Sequence, residues 1–294
     1  MSKLIKQAFT LIELLVVIAI IGILSGLIVV AMGGITDKAN IAKAQVFSNS
    51  LRNSLMLNLV SEWKLDENAG TTTADFWSGG NTGTLTGPTH LPTWKTGTDC
   101  VSGSCVQFDG IDDYINIINN SNLHFSTNFT IEAWVNISVV PVSADCMILG
   151  DYNGAYKGYK FSIDNNRKVF IQIGRQSDST VSGLVSTQQL DLNKWYQVAV
   201  SYDGKTNVFV NGQKTIGNAY APIEAETSNI LMGKAQWYAK YFQGLIDNVR
   251  VYNAAVPLSQ IRENYYVGLN QLFLKGSISK DEYFSMISSI AEAE

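Results

Sequence analysis

"LNKWYQVAVSYDGKTNVFVNGQ", residues Leu192 to Gln213, decides the fold. From Trp195 to Tyr202 the residues alternate and are rich in aromatic and β-branched types, the period-two pattern of a strand. Asp203-Gly204 and Asn211-Gly212 are hairpin-turn dipeptides on either side of a second strand, "TNVFV". The same alternation recurs upstream in "FTIEAWVNI" (Phe129 to Ile137) and "KVFIQIG" (Lys168 to Gly174). Many short strands with such turns imply a sandwich or jelly roll.

Outside this block the period changes. "LSQIRENYYVGLNQLFLKGSISKDEYFSMISSI" returns to helix-like spacing near the end. Gly276 interrupts it, and Ser279 followed by Glu282 resembles a capping box, so two short helices are expected. Upstream of Ser61, Ile35, Ala39, Ala42, Val46, Leu51 and Leu55 recur at three- to five-residue steps, with Asp37, Lys38, Lys43 and Arg52 between them. This predicts a helix continuing to about Val60, with a bend at Gly33-Gly34.

The chain has 294 residues, a formal net charge of -4 and only 16% charged residues. Its length admits a sizeable core. No basic patch stands out, so nucleic acid is not an expected partner. Much of the apolar excess sits in the first 32 residues, and the remainder, rich in Thr, Ser, Asn, Gly and Tyr, suits an all-β extracellular module. Cys100 and Cys105 bracket "VSGS", which is compatible with a hairpin-spanning disulfide in an oxidising compartment; the alternative is three free thiols, counting Cys146. The spacing of cysteines with His90 and His124 fits no zinc pattern.

Residues 9–32 form a stretch of 24 that carries one acid, Glu13. As a helix it reaches roughly 36 Å, enough to cross a bilayer core. It has neither the shorter apolar core nor the small-x-small cleavage site of a secretory signal, so it is expected to stay on the mature protein. The leader "MSKLIKQA" carries Lys3 and Lys6 and no acid, which places the N-terminus in the cytoplasm and the bulk of the chain outside. Gly22 and Gly26 form a small-xxx-small pair that lets helices approach closely.

"FTLIELLVVIAIIGIL" resembles the N-terminus of type IV pilins and pseudopilins. The resemblance implies cleavage by a prepilin peptidase between Ala8 and Phe9, methylation of the new Phe9 amine, and assembly into a helical filament. Glu13 then stands at the fifth mature position, where that family carries its glutamate. Two features depart from the family: Ala8 stands where glycine is usual, and no proline breaks the helix near Val30. A carboxylate in a membrane helix costs about 2.5–3.5 kcal/mol when central, and less near an interface. A neighbouring subunit's Phe9 ammonium would offset that cost in a filament core; in a plain signal anchor Glu13 would instead snorkel to the headgroups.

"EWKLDENAGTTT", "SCVQFDGIDDYINI", "FTIEAWVNI", "LNKWYQVAVSYDGKTNVFVNGQ" and "FQGLIDNVRVYNAAV" resemble, in this order, a laminin-G-like, concanavalin A-like jelly-roll domain. That fold hosts lectins, adhesion modules and glycosidases alike. Glucanases of the fold carry a Glu-x-Asp-x-x-Glu run; here "FTIEAWVNI" offers only Glu132 and "GLIDNVRV" only Asp247. The chain also lacks a Gly-x-Ser-x-Gly elbow, a P-loop and a His-Glu-x-x-His motif, so it is not expected to be an enzyme. Asp109, Asp112 and Asp113 cluster around a turn, and Asp247 shares its expected strand face with Leu245 and Val249. Relatives of the fold often hold a structural Ca²⁺ with such oxygen ligands, which makes Asp109, Asp112 and Asp247 a candidate metal set. For Asp247 the alternative is a hydrogen bond or a pairing with Arg250. No other cofactor is expected.

For ligand contact, "GDYNGAYKGYK" and "KAQWYAKYFQG" supply Tyr152, Tyr156, Tyr159, Trp237, Tyr238 and Tyr241. These rings either stack on sugars or fill the core and edges of the sandwich. Trp134 and Trp195, inside regular strands, read as structural. "LFLKGSISKDEYFSMI" resembles the short C-terminal hairpin called SHOCT, associated with oligomerisation; otherwise the two helices pack back on the domain.

The expected fold is therefore α+β: a long N-terminal pilin helix, an antiparallel jelly-roll β-sandwich, and short C-terminal helices. Its parts are a leader (1–8), a membrane and filament-core helix (9–60), a laminin-G-like head (61–265) and a helical hairpin (266–294). The function this implies is a minor pilin or pseudopilin, held in the cell membrane before assembly and in an extracellular or periplasmic filament after it. Its partners are the prepilin peptidase, other pilin subunits, the membrane, and a glycan or surface-protein ligand. The alternative is a membrane-anchored binding module that does not polymerise.

Overall fold

Alternation of the kind seen at Trp195–Tyr202 gives a strand one apolar face, and two sheets with such faces hide them against each other. In the computed structural model the chain does this with sixteen antiparallel strands among the described residues. Those residues are 58–291, without 78–79, 119, 142–144, 153, 155, 221–222 and 237–238. The chain divides into two units, Met1–Ser54 and Leu55–Glu294, and all described residues belong to the second. Ala8, Phe9, Glu13, Trp237 and Tyr238 lie outside them.

In chain order the strands are β1 (Leu59–Trp63), β2 (Thr72–Thr73), β3 (Gly83–Thr86), β4 (Thr93–Thr96), β5 (Ser104–Asp109), β6 (Tyr114–Ile117), β7 (Phe129–Ile137) and β8 (Cys146–Gly150). They continue as β9 (Gly158–Ile163), β10 (Lys168–Arg175), β11 (Thr180–Gln189), β12 (Trp195–Tyr202), β13 (Lys205–Val210), β14 (Gln213–Tyr220), β15 (Ile230–Met232) and β16 (Gln243–Tyr252). The first sheet runs β14-β13-β12-β7-β16-β5-β4, and β1 pairs with the far half of β16. The second runs β11-β10-β9-β8-β15-β6-β3-β2. Leu59 and Val60 belong to a strand, so the helix expected to continue to about Val60 does not include them; the rest of its span lies outside the described residues.

The core lies between the sheets. Ile131, Ala133 and Val135 of β7 meet Phe161 of β9 and Ile171 of β10 there, all buried. Two helices follow the last strand, α1 (Leu258–Leu274) and α2 (Lys280–Ala291). α1 starts inside the 61–265 span expected for the head. Gly276, at φ +75°, turns the chain out of α1, and the Ser277 N–H reaches back to the Leu272 carbonyl at 2.9 Å. At the start of α2, Glu282 accepts from the Ser279 N–H at 2.9 Å while Ser279 Oγ accepts from the Glu282 N–H at 3.2 Å, the reciprocal cap its sequence announces.

The hairpin packs on the outer face of the first sheet. Trp134 stacks on Tyr265 with ring centroids 5.8 Å apart, and Leu269, Leu272 and Ile290 complete the cluster. This is why β12 is buried along its whole length although its sequence alternates: one parity faces the core and the other faces the hairpin. Gly268 is what lets α1 come so close, since a Cβ there would stand 2.3 Å from Trp134 Cζ2. Helix propensity alone makes Gly→Ala stabilising by about 1 kcal/mol, whereas overpacking costs about 1–3 kcal/mol. We expect the contact to win: Gly268→Ala lowers the unfolding free energy measured in urea, and a gain in stability would contradict this packing.

The turn between β4 and β5 docks on the same side. The sulfurs of Cys100 and Cys105 lie at bonding distance. Lys275 Nζ donates towards the carbonyls of Gly97, Cys100 and Gly103 at 3.3, 3.4 and 3.4 Å. Ser277 Oγ donates to the Thr98 carbonyl at 2.9 Å, and Trp195 Nε1 to that of Asp99 at 3.0 Å. Among the described residues no helix is long and apolar enough to cross a membrane; the segment expected to do so lies outside them.

Candidate functional site

With the first sheet covered, the second offers the open face. Along β9 and β10 the core takes Tyr159, Phe161, Val169 and Ile171, so Lys160, Ser162, Phe170 and Gln172 point outward. Lys160 sits opposite Gln172 on one side and Gly150 on the other. Its ammonium lies 5.2 Å from the Phe170 ring and 5.8 Å from that of Tyr152. It also pairs with Asp145 at 2.6 Å, and Lys240 approaches the same carboxylate at 3.6 Å. Burial alone would raise the pKa of Asp145, but these two lysines outweigh it and hold the carboxyl below its usual range.

At one end of this face a half-open cavity of about 150 Å³ is lined by Val139, Val140, Asp145, Lys240, Tyr241 and Gln243, among others. Next to it the Lys234 ammonium lies 4.4 Å from the Tyr114 ring and 5.5 Å from the Tyr241 ring. The combination of aromatic edges, ammonium groups and side-chain amides around a shallow cavity suits a ligand rich in hydroxyl or carboxylate groups.

The candidate residues from the sequence divide among several places. Tyr152 and Tyr241 belong to the open face, and Tyr156 is 41% exposed. Tyr159 is core, fully buried with its hydroxyl donating to the Leu123 carbonyl at 3.2 Å. Asp109, Asp112 and Asp113 come together. Asp113 is buried, and that burial, with the charges of Asp109 and Asp112 beside it, raises its carboxyl to about 6.

Asp247 lies elsewhere, four residues along β16 from Gln243, the register partner of Asp109. It accepts from the N–H groups of Val101 and Ser102 at 2.9 and 3.1 Å, so it braces the turn between Cys100 and Cys105. Its strand face also differs from expectation. Asn248, at φ +49°, sits where the register shifts, which leaves Leu245 against the hairpin and sends Val249 into the core.

Glu132 is sealed beneath α1, 2% exposed, and accepts from Tyr252 Oη, Gln197 Nε2 and Asn264 Nδ2 at 2.9, 3.1 and 2.6 Å. Burial raises its pKa, against the lowering effect of Arg250 and these donors. Neither Glu132 nor Asp247 reaches the open face. The residues that sequence reasoning missed are Asp145, Lys160, Lys234 and Lys240. One signal pointed to them: Phe170 stands between Val169 and Ile171, so one apolar ring had to face outward next to whatever β9 presents.

The segment 109–262, more than half of the chain, matches the family model of the concanavalin A-like lectin/glucanases superfamily, and residues 5–33 match that of the prokaryotic N-terminal methylation motif. Neither match reaches the hairpin turn, so the likeness of the tail to SHOCT has no such support. No curated protein matched the chain.

Among solved structures, domain 4 of a GH43 extracellular arabinanase from Geobacillus stearothermophilus, in complex with arabinotriose, is similar with a TM-score of 0.56 and 19% identity. That match covers 70% of this chain and 97% of that one. The ligand binding domain of botulinum neurotoxin serotype D, in complex with N-acetylneuraminic acid, gives 0.57 and 14%, over 74% of this chain and 53% of that one. The sialidase of Trypanosoma rangeli, in complex with sialic acid, gives 0.55 and 18%, over 74% of this chain and 34% of that one. The chain thus spans about half of the neurotoxin domain and a third of the sialidase. At these identities the likeness is one of fold.

Proposed function

The chain belongs to the concanavalin A-like lectin/glucanases superfamily, and we propose that it is a type IV pilin-like subunit, a minor pilin or pseudopilin, that displays a lectin-like head for adhesion or surface recognition. The observation that carries this reading is the fusion itself: a methylation motif at 5–33 followed by a sandwich with one open polar-aromatic face. The motif supports processing by a prepilin peptidase, a membrane-held precursor, export of the head and assembly with other pilins. The head is a binding module, and its ligand is a glycan or a glycosylated surface protein. The arabinanase and neurotoxin domains, which were seen with arabinotriose and N-acetylneuraminic acid, support that ligand class. A bound ligand would lie over Lys160, Phe170 and the cavity beside Tyr241.

The deciding experiment is the intact mass of the protein in membrane and sheared-surface fractions, from wild type and Glu13→Ala cells. The expected result is a mature chain that starts at methylated Phe9 in the sheared fraction, with at least a tenfold loss from that fraction in the variant. An uncleaved Met1 species that stays in the membrane, unaffected by the substitution, would instead make the protein an anchored binding module.

A further inference from the structure

Four strands end the two sheets, β14 and β4 in the first, β11 and β2 in the second. Three of them are guarded against pairing further. β2 is two residues long, β4 is four and carries Lys95, and β14 carries Lys214. Short length and edge lysines are how a sheet avoids gaining another chain's strand. β11 has neither. It runs for ten residues, "TVSGLVSTQQ", without a charge or a proline. From Thr180 to Val185 it pairs regularly with β10, and the register shifts only beyond that point. Between Val181 and Val185, among the described residues, no backbone group bonds to anything but β10. The first tie to the other sheet comes at Thr187, whose N–H donates to Thr215 Oγ1 at 3.1 Å.

Val181 and Val185 are 40% and 37% exposed. Leu184 packs on the core, so the two valines stand on the outer face, where Phe170 lies opposite Val185. A Cβ at Gly183 would stand 2.6 Å from the Phe170 ring, so that ring covers the bare Cα between the valines. An edge strand meets its own copy across a two-fold axis in antiparallel order, so it must match its own reverse. β11 does so about Gly183. Val181 falls opposite Val185 of the second copy, Ser182 opposite Leu184, and Gly183 opposite itself. The valine pairs are the β-branched cross-strand pairs that favour sheet pairing. No charge meets its like at the axis. The first charges beyond either end of the strand, Arg175 with Asp178 and Asp191 with Lys194, are already paired with each other.

We propose that β11 joins two copies of this chain, antiparallel and centred on Gly183, so that their second sheets become one continuous sheet. The self-matching order of side chains points to a second copy rather than to an unrelated strand. Across the joint, Phe170 and Val185 of one copy continue into Val181 of the other, with no break in the apolar row. If the open face binds a glycan, as proposed above, the joined sheet displays that face twice and the head binds bivalently. The joint itself depends neither on that reading nor on filament assembly.

The test uses the full-length chain in detergent. Val181→Cys and Val185→Cys are made in separate chains, both at exposed positions. Directly opposite Cβ atoms stand about 4.5–5.5 Å apart, close to the span of a disulfide, whereas the same position in the two copies is roughly 13 Å from itself. Copper-catalysed air oxidation of the mixed chains should give a covalent dimer, and either chain alone no more than about a tenth of that yield. Mixed chains that do not cross-link, or single chains that cross-link as well as the mixture, overturn the proposal. Sedimentation of the chain without cysteine substitutions is the second measurement, and it separates this joint from association through the N-terminal segment. A chain with both Val181→Lys and Val185→Lys should need about tenfold more protein to dimerise than wild type. A wild type that stays monomeric to about 100 μM leaves the edge to a strand from another protein. A lysine variant that dimerises as wild type does puts the contact elsewhere. Either result overturns the proposal.

Discussion

Arg250→Ala lowers the stability of the head by about 3–5 kcal/mol at pH 7, the cost of removing one partner of a buried ion pair. Arg250 Nε binds Glu62 Oε1 at 2.7 Å, and Nη1 lies 3.8 Å from Glu132 Oε1. Without the guanidinium, Glu132 keeps three neutral donors but loses the positive charge that faces it. Burial already raises the pKa of Glu132, and the substitution removes the strongest opposing effect. The folded state then holds a proton that the unfolded chain releases near the usual glutamate value of about 4.3. Stability must therefore fall as pH rises above that value. Urea unfolding at pH 4.5 and 7.5 should show a small deficit at the lower pH and the full deficit at the higher one. Glu132→Gln in the Arg250→Ala background should flatten the difference. Equal deficits at both pH values would mean that the loss comes from packing of the arginine stem rather than from a stranded charge.

The parts of this molecule that could be read from sequence are those fixed by neighbours along the chain. Asp203-Gly204 and Asn211-Gly212 announce two hairpins, and Asn211 and Gly212 take φ +49° and +74° as such turns require. The Ser279–Glu282 cap and the break at Gly276 are likewise local chemistry. What long-range packing decides was not legible in the same way. Period-two alternation shows that β7 and β12 have two faces, but nothing local says that a helix arriving more than 50 residues after β12 will cover the polar one. The lysines of the open face have the same origin: Lys160, Lys240 and Asp145 meet because β9, the start of β8 and the loop before β16 come together, although the three are far apart in sequence. The tyrosine of "GYK" illustrates the parity problem directly. Tyr159 and Lys160 are adjacent, yet one fills the core and the other stands on the open face of the second sheet.

Trp134→Ala should cost about 3–5 kcal/mol, the range for truncating a buried aromatic, and the loss should fall mainly on the docking of the C-terminal hairpin. Trp134 is 4% exposed and is the ring on which Tyr265 stacks and over which Gly268 passes. The interface around it is less well satisfied than the core between the sheets. Gln197 Oε1, Gln260 Oε1 and the Tyr265 hydroxyl are all buried without partners. Each such atom carries a desolvation cost of about 1–3 kcal/mol that a sheet-to-sheet apolar contact does not carry. Lys275 and Ser277 then hold the turn between the helices to a loop closed by Cys100 and Cys105, so the contacts at that end depend on the loop keeping its shape.

Removal of the indole should therefore separate two events that coincide in the wild type. The hairpin should come off first, seen as protease cleavage in the turn at 275–279 and a melting transition below that of the sandwich. Added reductant should lower that first transition further and leave the second in place. A variant that still melts in one step with the turn protected would show that hairpin and sandwich are a single cooperative unit, held together by α1 as firmly as by the core itself.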